Sequence, residues 1–137
     1  MTSRLFPPGF LWGTASAAHQ VEGDNRNSDW WEFEQKPGRI ANGDTSAVAC
    51  DHYHRYREDF ALLREMNQNA HRLSIEWSRV EPTEGEFDAR QIRHYRDVLA
   101  TVYHNLGIDP HGMVMDVSGR PNPILPAECR PIGKLIG

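Results

Sequence analysis

Two stretches of the chain have the hydrophobic spacing of amphipathic helices. In the first, over about residues 51–66, apolar side chains recur every three or four positions, at Tyr53, Tyr56, Phe60 and Leu63. In the second, which ends before Gly107, they recur at Ile92, Tyr95, Leu99, Val102 and Leu106. Such spacing places the apolar side chains along one side of a helix. The sequence therefore predicts two helices, each with one buried face.

The ends of these helices have sequence signals of their own. Asp51 at the start of the first helix suits capping and the helix dipole. Asp88 precedes the second helix, and Gln91 three residues later completes a capping-box pattern. Gly107 fits the left-handed position beyond the last turn, and Pro110 follows shortly after it. We expect the second helix to run between Asp88 and Gly107.

Two other stretches have the composition of buried strands. Residues 10–15 are apolar and then small, and the polar residues His19, Gln20 and Glu22 follow them, as at the carboxyl end of a parallel strand. Residues 72–78 alternate between polar and apolar side chains. The polar set of this second strand faces either water or the lumen of a small barrel.

The remaining stretches are irregular in sequence. Residues 23–44 are polar and rich in glycine and asparagine, and connections of this length are usually functional or flexible. After Pro110, Met113 and Val114 are the candidate start of a third strand. From Gly119 onward, repeated prolines and glycines argue against a regular strand or helix.

Composition and charge restrict the class of protein. The 137 residues are 39% hydrophobic and 25% charged, as in a single soluble domain. The net charge of −4 offers no basic surface for nucleic acid. No apolar run approaches the ~18 residues that span a bilayer, and no signal segment opens the chain. We therefore expect a cytoplasmic protein with no nucleic-acid or membrane partner. Two cysteines, Cys50 and Cys129, do not make a disulfide framework.

Five segments resemble the family 1 glycoside hydrolases, the β-glucosidase family. Residues 10–23 (FLWGTASAAHQVEG) resemble its first barrel strand, and residues 71–82 (HRLSIEWSRVEP) resemble its second. Residues 27–31 resemble the loop after the first strand, residues 50–67 the first helix, and residues 84–107 the second helix and its lead-in. The combination of the two strand motifs is highly specific.

The resemblance implies an α/β fold, a partial (β/α)8 TIM barrel with the first two β/α units and a possible third strand. A complete barrel needs about 200 to more than 400 residues. Residues 1–110 are then the N-terminal part of a β-glucosidase-like barrel, and residues 111–137 are a divergent tail rich in proline and glycine. Part of a barrel leaves strand edges and apolar helix faces uncovered, so we expect a homo-oligomer.

The catalytic acids of the resembling family have no counterpart in this sequence. Retaining glycosidases use two carboxyl groups about 5–5.5 Å apart. The family places them in an Asn-Glu-Pro and a Glu-Asn-Gly motif, and neither motif occurs here. Hydrolysis by the family's mechanism is therefore not expected of this chain alone. Glu22 and Glu76 are the candidate substitutes, because two close carboxylates split their proton affinities. Alternatively, both are structural hydrogen-bonding residues.

Other residues match or suit the family's sugar-binding wall. Gln20 matches a glutamine that holds sugar hydroxyl groups, and its amide offers both donors and an acceptor. Alternatively, Gln20 only caps the end of a strand. Trp30 and Trp31 offer aromatic faces on which sugars stack, whereas Trp12 and Trp77 are interpreted as packing residues.

Arg72 matches the family arginine that lies beside the nucleophilic carboxylate. Because that carboxylate is absent from the sequence, we expect Arg72 to pair with Glu22 or Glu76 instead. No metal or cofactor is predicted. His52 and His54 alternate near Cys50, but residues two apart do not share a helix face, so they are interpreted as surface histidines.

Three hypotheses about function remain open. The first is a β-glucosidase-like enzyme, in which assembled copies hydrolyse β-linked glucosides through carboxylates such as Glu22 and Glu76. The second is a non-catalytic protein that binds a β-glucoside or another small sugar through Gln20 and the tryptophans. The third is a barrel fragment that only self-assembles.

Overall fold

The computed structural model describes residues 5–109, 111–126 and 129. In chain order, the elements are β1 (Gly13–Ala15), α1 (Ala18–Val21), α2 (Asp29–Glu34), a 3₁₀ turn (Ala41–Gly43), α3 (His52–Glu65), β2 (Ala70–Arg72), α4 (Trp77–Val80), α5 (Ala89–Asn105), β3 (Met113–Met115) and β4 (Pro121–Pro123). The predicted role of Pro110 and the end of the predicted tail lie outside the described residues. Within the described part of the chain, no helix has the length and apolarity needed to cross a membrane.

The centre of the fold is a parallel pair of strands. β1 lies beside β2, with Gly13 opposite Ala70 and Ala15 opposite Arg72. A side chain at Gly13 would place its Cβ 2.3 Å from the Ala70 carbonyl oxygen, so only glycine permits this close approach. Helix α3 joins the two strands, and α5 follows β2. These are the two predicted β/α units, although the described residues do not close a barrel.

The two long helices lie close to their predicted positions and form the main core. Tyr56 and Phe60 of α3 pack against Val98 and Val102 of α5. Three partly buried side chains pack against this cluster: Leu63, Leu73 and Leu106. The apolar spacing in the sequence therefore identified the faces through which α3 and α5 meet.

The cap predicted at Asp88 forms, whereas the capping box predicted with Gln91 and the cap predicted at Asp51 do not. The Asp88 carboxylate accepts hydrogen bonds from the backbone N–H groups of Arg90 and Gln91, at 2.7 and 3.4 Å. Gln91 does not complete the capping box, because its Oε1 accepts a hydrogen bond from the Tyr53 hydroxyl at 2.7 Å. Asp51 makes no capping hydrogen bond. Gly107 adopts the predicted left-handed conformation, with φ of 72°.

The predicted strand over residues 72–78 is wrong. β2 ends at Arg72, and residues 77–80 form α4. The reason is a cap: the Glu76 carboxylate accepts hydrogen bonds from the backbone N–H and the hydroxyl of Ser78, which starts a helix directly after Glu76. Glutamate is not among the residues preferred at an N-cap, so the sequence alone gives no strong signal for this helix. β1 is likewise shorter than the predicted residues 10–15.

The stretch over residues 23–44 is not a plain loop. It contains α2, which begins after Ser28, and the Ser28 hydroxyl accepts a hydrogen bond from the backbone N–H of Trp31 at 3.1 Å. Serine is among the residues preferred at this position. Ser28 is therefore the sequence signal that marks the start of α2.

The described tail is also more regular than predicted. β3 pairs with β4 in an antiparallel hairpin, so Met113 and Val114 do not begin a third parallel strand beside β2. Asp116 closes the hairpin turn by accepting hydrogen bonds from the backbone N–H groups of Ser118 and Arg120. The prolines of β4 are tolerated because one side of a two-stranded ribbon needs no ladder donor. The following segment packs on α5, in a cluster of Leu125, Cys129 and Ala100.

Removing the Phe60 ring should strongly destabilise the fold. Phe60 is 2% exposed at the centre of the α3–α5 contact, so Phe60→Ala should lower the free energy of unfolding by about 3–5 kcal/mol. Leu62 lies on the same helix and is 54% exposed, so Leu62→Ala should change it by only about 0.5 kcal/mol. Urea unfolding followed by circular dichroism measures both values. Equal losses would contradict the packing described.

Candidate functional site at the carboxyl edge of the strand pair

The carboxyl ends of β1 and β2 lie at the same edge because the strands are parallel. Helix α1 begins three residues after β1, and α4 begins five residues after β2. The backbone N–H of Ala18 donates a hydrogen bond to the Ser74 hydroxyl at 2.8 Å, which ties the start of α1 to the segment after β2. Three of the predicted site residues therefore lie at or just beyond the carboxyl ends of the strands: Gln20 on α1, Arg72 at the end of β2 and Glu76 before α4.

The carboxylate of Glu22 is buried close to this edge. Glu22 directly follows α1 and is 5% exposed. The Tyr95 hydroxyl lies 3.0 Å from both carboxylate oxygens of Glu22, and Arg79 Nε lies 3.2 Å from Oε2. Burial raises the pKa of the Glu22 carboxyl, while the Tyr95 hydrogen bond and the Arg79 charge act in the opposite direction. Burial and the Glu22 charge raise the pKa of Tyr95.

Glu76 belongs to the same network of hydrogen bonds. Its Oε2 accepts a hydrogen bond from the amide of the buried Asn25 at 3.2 Å, and its backbone N–H donates to the Tyr95 hydroxyl at 3.2 Å. Its Oε1 caps α4 through Ser78. The structure thus brings the two predicted carboxylates together through Tyr95.

Both carboxylates have structural partners. The oxygens of Glu22 are occupied and buried, and Glu76 holds the start of α4. This arrangement agrees with the structural alternative considered for the pair. A catalytic role for Glu22 and Glu76 stays a prediction, and the burial of Glu22 argues against its direct contact with a substrate.

The predicted sugar-binding residues lie on the exposed part of the edge. Gln20 and Arg72 are both exposed, and neither side chain has a hydrogen-bonding or ionic partner within the described part of the chain. Trp30 of α2 is 59% exposed, and its ring centroid lies 6.4 Å from that of His19, the neighbour of Gln20. Trp31 is half-buried, with the Arg26 guanidinium 5.6 Å from its ring centroid.

Arg72 was expected to pair with Glu22 or Glu76, and this prediction is wrong. Arg79, not Arg72, forms the ion pair with the Glu22 carboxylate. Sequence reasoning missed Arg79 because it lies beyond the supposed strand, on a helix that was not predicted. Tyr95 was predicted only as part of an apolar face. A buried tyrosine needs a partner for its hydroxyl, and this requirement was the available signal for its contact with Glu22.

A second polar cluster anchors the stretch after α1. His19 lies between Ser28 and Glu34, with Nδ1 3.4 Å from the Ser28 hydroxyl oxygen and Nε2 3.3 Å from Glu34 Oε2. A hydroxyl, an imidazole and a carboxylate in this order resemble the catalytic triad of serine hydrolases. However, the Ser28 hydroxyl already caps α2 and donates to the Asn25 carbonyl at 2.9 Å, so it is not available as a nucleophile. The cluster instead holds α2 against α1.

The two alternating histidines each face a carboxylate. His52 lies 2.6 Å from Asp59 and is only 13% exposed, so its predicted surface position is wrong. His54 lies 2.6 Å from Asp51 and is exposed, as predicted. Among the described residues, no three histidine, cysteine or acidic side chains are grouped so that they could hold a metal ion.

The paired β/α units, with polar groups gathered at their carboxyl edge, have the arrangement of a portion of a (β/α)8 barrel. The family model for Glycosyl hydrolase family 1 matches residues 2–114. The chain belongs to this family, which confirms the resemblance found in its strand motifs.

The relatives are much longer than this chain. Beta-glucosidase A of Thermotoga maritima is 39% identical over 116 residues, which are 80% of this chain and 26% of the relative. Beta-glucosidase 1 of Oryza sativa subsp. japonica is 39% identical over 117 residues, which are 81% and 22% of the two chains. The solved Thermotoga maritima beta-glucosidase in complex with galacto-hydroximolactam aligns with a TM-score of 0.69 and 38% identity, over 74% of this chain and 24% of its own. The chain spans about a quarter of the curated relatives' length.

The partly buried imidazole of His94 packs among aromatic rings next to the hydrogen-bond network of Glu22, Tyr95 and Arg79. The His94 ring on α5 stacks on Tyr53 at a centroid distance of 3.9 Å and meets the Tyr56 ring edge-on at 5.4 Å. Burial, and then the charge of Arg79, lower the pKa of His94 to about 4. The folded chain therefore holds this imidazole neutral over a range in which an unfolded chain protonates it.

We predict that His94 makes the fold sensitive to acid. Its folded pKa lies below its ordinary value of 6.5, so the unfolded chain binds the extra proton between about pH 6.5 and pH 4. Stability should then fall as the pH is lowered through this range. His94→Phe should make the pH dependence shallower by up to about one proton. Urea unfolding at several pH values measures the slope.

The control for this experiment is the range above pH 7.5, where His94 is neutral in both states. There the difference in unfolding free energy between the two proteins should stay constant. Identical slopes for both proteins between pH 4 and pH 6.5 would contradict the prediction.

Proposed function

We propose that this chain forms one wall of a β-glucosidase-type sugar site, and that it binds β-glucosides or other small sugars through Gln20 without hydrolysing them by itself. The observation that carries the proposal is the contrast at the carboxyl edge. Glu22, Glu76 and Arg79 are occupied by partners, whereas the Gln20 amide is exposed and without a partner among the described residues.

The chemistry of the free amide suits a sugar. One primary amide offers two N–H donors and a carbonyl acceptor, so it can bind two neighbouring hydroxyl groups of a sugar ring. The exposed face of Trp30 adds an aromatic surface near Gln20, and the C–H face of a sugar can stack on it. Arg72 supplies a further set of donors at the same edge. The names of the relatives, which are beta-glucosidases, support a β-glucoside as the ligand.

Hydrolysis requires groups that this sequence does not contain. A retaining glycosidase needs an acid and a nucleophile on opposite sides of the bond, about 5–5.5 Å apart. Neither family motif is present, and the nearest substitutes are engaged in structural contacts. We infer that cleavage depends on carboxyl groups from outside this sequence, whether on another chain or on a continuation of this one.

Gln20→Ala should weaken sugar binding. We expect a loss of about five- to tenfold in affinity for methyl β-glucoside, as for the removal of one side-chain hydrogen-bonding group. Isothermal titration calorimetry measures the affinity. Gln35→Ala, which removes an exposed amide at the end of α2, is the matched control and should bind as the wild type does.

Two results would argue against the proposal. One is an equal affinity of the wild type and Gln20→Ala. The other is the absence of any heat of binding with glucose, cellobiose and methyl β-glucoside at millimolar concentration. Rapid turnover of a chromogenic β-glucoside by the chain alone would overturn the separation of binding from hydrolysis.

We also propose that the chain self-associates. β1 pairs with β2 on one side, and its other edge has no strand partner among the described residues. Large apolar side chains remain exposed near this edge, including Leu11 at 70% and Trp12 at 50%. Open strand edges and apolar patches of this kind favour association.

Light scattering should therefore show a species larger than the monomer at micromolar concentration. The apparent mass should fall on dilution, because association follows mass action. A sharp monomer peak that does not depend on concentration would sink this prediction while leaving the sugar-binding proposal intact.

A further inference from the structure

We propose that Arg79 is a positioning residue, whose guanidinium holds α1, and with it Gln20, at the carboxyl edge of the strand pair. This inference rests on the proposed role of Gln20 in sugar binding. It assigns to Arg79 an effect on ligand affinity that goes beyond the neutralisation of a buried charge.

Helix α1 depends on external support. It contains four residues, and a single helical turn is not stable in isolation. Ala17, at its N-cap, makes no side-chain capping hydrogen bond. The start of α1 is held through Ala18 by the Ser74 hydroxyl. The position of Gln20 therefore depends on how the other end of α1 is held.

Arg79 contacts three residues at that other end. Its Nε lies 3.2 Å from Glu22 Oε2 and donates a hydrogen bond to Asn25 Oδ1 at 2.7 Å. Its Nη2 donates to the carbonyl oxygen of Gly23. The guanidinium also lies over the Tyr53 ring, 4.3 Å from its centroid. Through these contacts, Arg79 of α4 binds residues 22–25, the segment that directly follows Gln20 and Val21.

The backbone of this segment also packs closely against residues 47 and 48. Gly23 has a φ of 79°, and a Cβ at this position would lie 2.4 Å from the Val48 carbonyl oxygen. The backbone N–H of Asp24 donates to the Ala47 carbonyl at 2.9 Å. Because residues 47 and 48 block one side and Arg79 holds the other, the end of α1 is fixed between them.

These contacts require a guanidinium. Arginine presents five N–H donors in a planar fork and can stack on an aromatic ring, whereas lysine has one compact ammonium group. At position 79, a lysine could still balance the charge of Glu22. It could not at the same time bond the Gly23 carbonyl and the Asn25 amide and stack on Tyr53. Arg79→Lys therefore keeps the positive charge beside Glu22 but loses the contacts that hold the end of α1, so it tests the two effects separately.

A double-mutant cycle between Arg79 and Gln20 tests the proposal. Arg79→Lys should weaken methyl β-glucoside binding by about five- to tenfold, close to the loss from Gln20→Ala. The double variant should bind no more weakly than Gln20→Ala alone, because Arg79 acts on the sugar only through Gln20. Arg55→Lys is the matched control, since the exposed Arg55 side chain pairs with Glu58 on its own helix, α3.

Three outcomes decide the matter. Multiplicative losses in the double variant, or wild-type binding by Arg79→Lys, would overturn the positioning role. Unchanged binding by Gln20→Ala would instead defeat the proposed function itself. If Arg79→Lys does not fold, Tyr95→Phe replaces it in the cycle. This variant keeps the ring and removes the hydroxyl, which bonds the Glu22 carboxylate at the end of α1 and accepts from the backbone N–H of Glu76. The same coupling to Gln20 then supports the proposal, and independent losses reject it.

Discussion

The buried carboxylate of Glu22 is the constraint on which the carboxyl edge of the strand pair depends. An ionised carboxylate withdrawn from water is costly unless a charge and hydrogen-bond donors accompany it. Here those partners are Arg79 and Tyr95, which come from two different helices. One side chain at the end of α1 therefore fixes the positions of α4 and α5 against it. Removing either partner would leave part of this cost uncompensated, so the three elements are held as a unit.

This polar unit complements a limited apolar core. The main cluster joins α3 to α5, and the second cluster joins α5 to the segment after the hairpin. Neither cluster includes a residue of α1 or α2. The carboxyl edge therefore owes its order mainly to hydrogen bonds and ion pairs. Such networks are specific in direction, which agrees with the proposal that this surface presents one amide and one aromatic ring in fixed positions.

Local signals in the sequence predicted the long helices and failed where several signals competed. The apolar spacing and the Asp88 cap define α5 from neighbouring residues alone, whereas residues 72–78 alternate like a strand and also contain the cap of α4. The contact of Tyr95 with Glu22 joins residues 73 positions apart, and nothing local predicts it. Gln20 follows the carboxyl end of β1, as the sequence predicted. The family resemblance did not indicate that Arg79, rather than Arg72, would meet the buried carboxylate.

Binding and bond cleavage make different demands on a barrel, and the proposed function rests on this difference. Holding a sugar hydroxyl requires one well-placed amide, which neighbouring β/α units can fix through a network such as that around Glu22. Cleavage requires two carboxyl groups that face each other across the bond. Groups on opposite sides of a bond must come from separated parts of the barrel wall, whereas β1 and β2 are adjacent. Under the proposed function, the two adjacent β/α units form one wall of a site, and a catalytic site that includes them would need carboxyl groups from another part of a barrel.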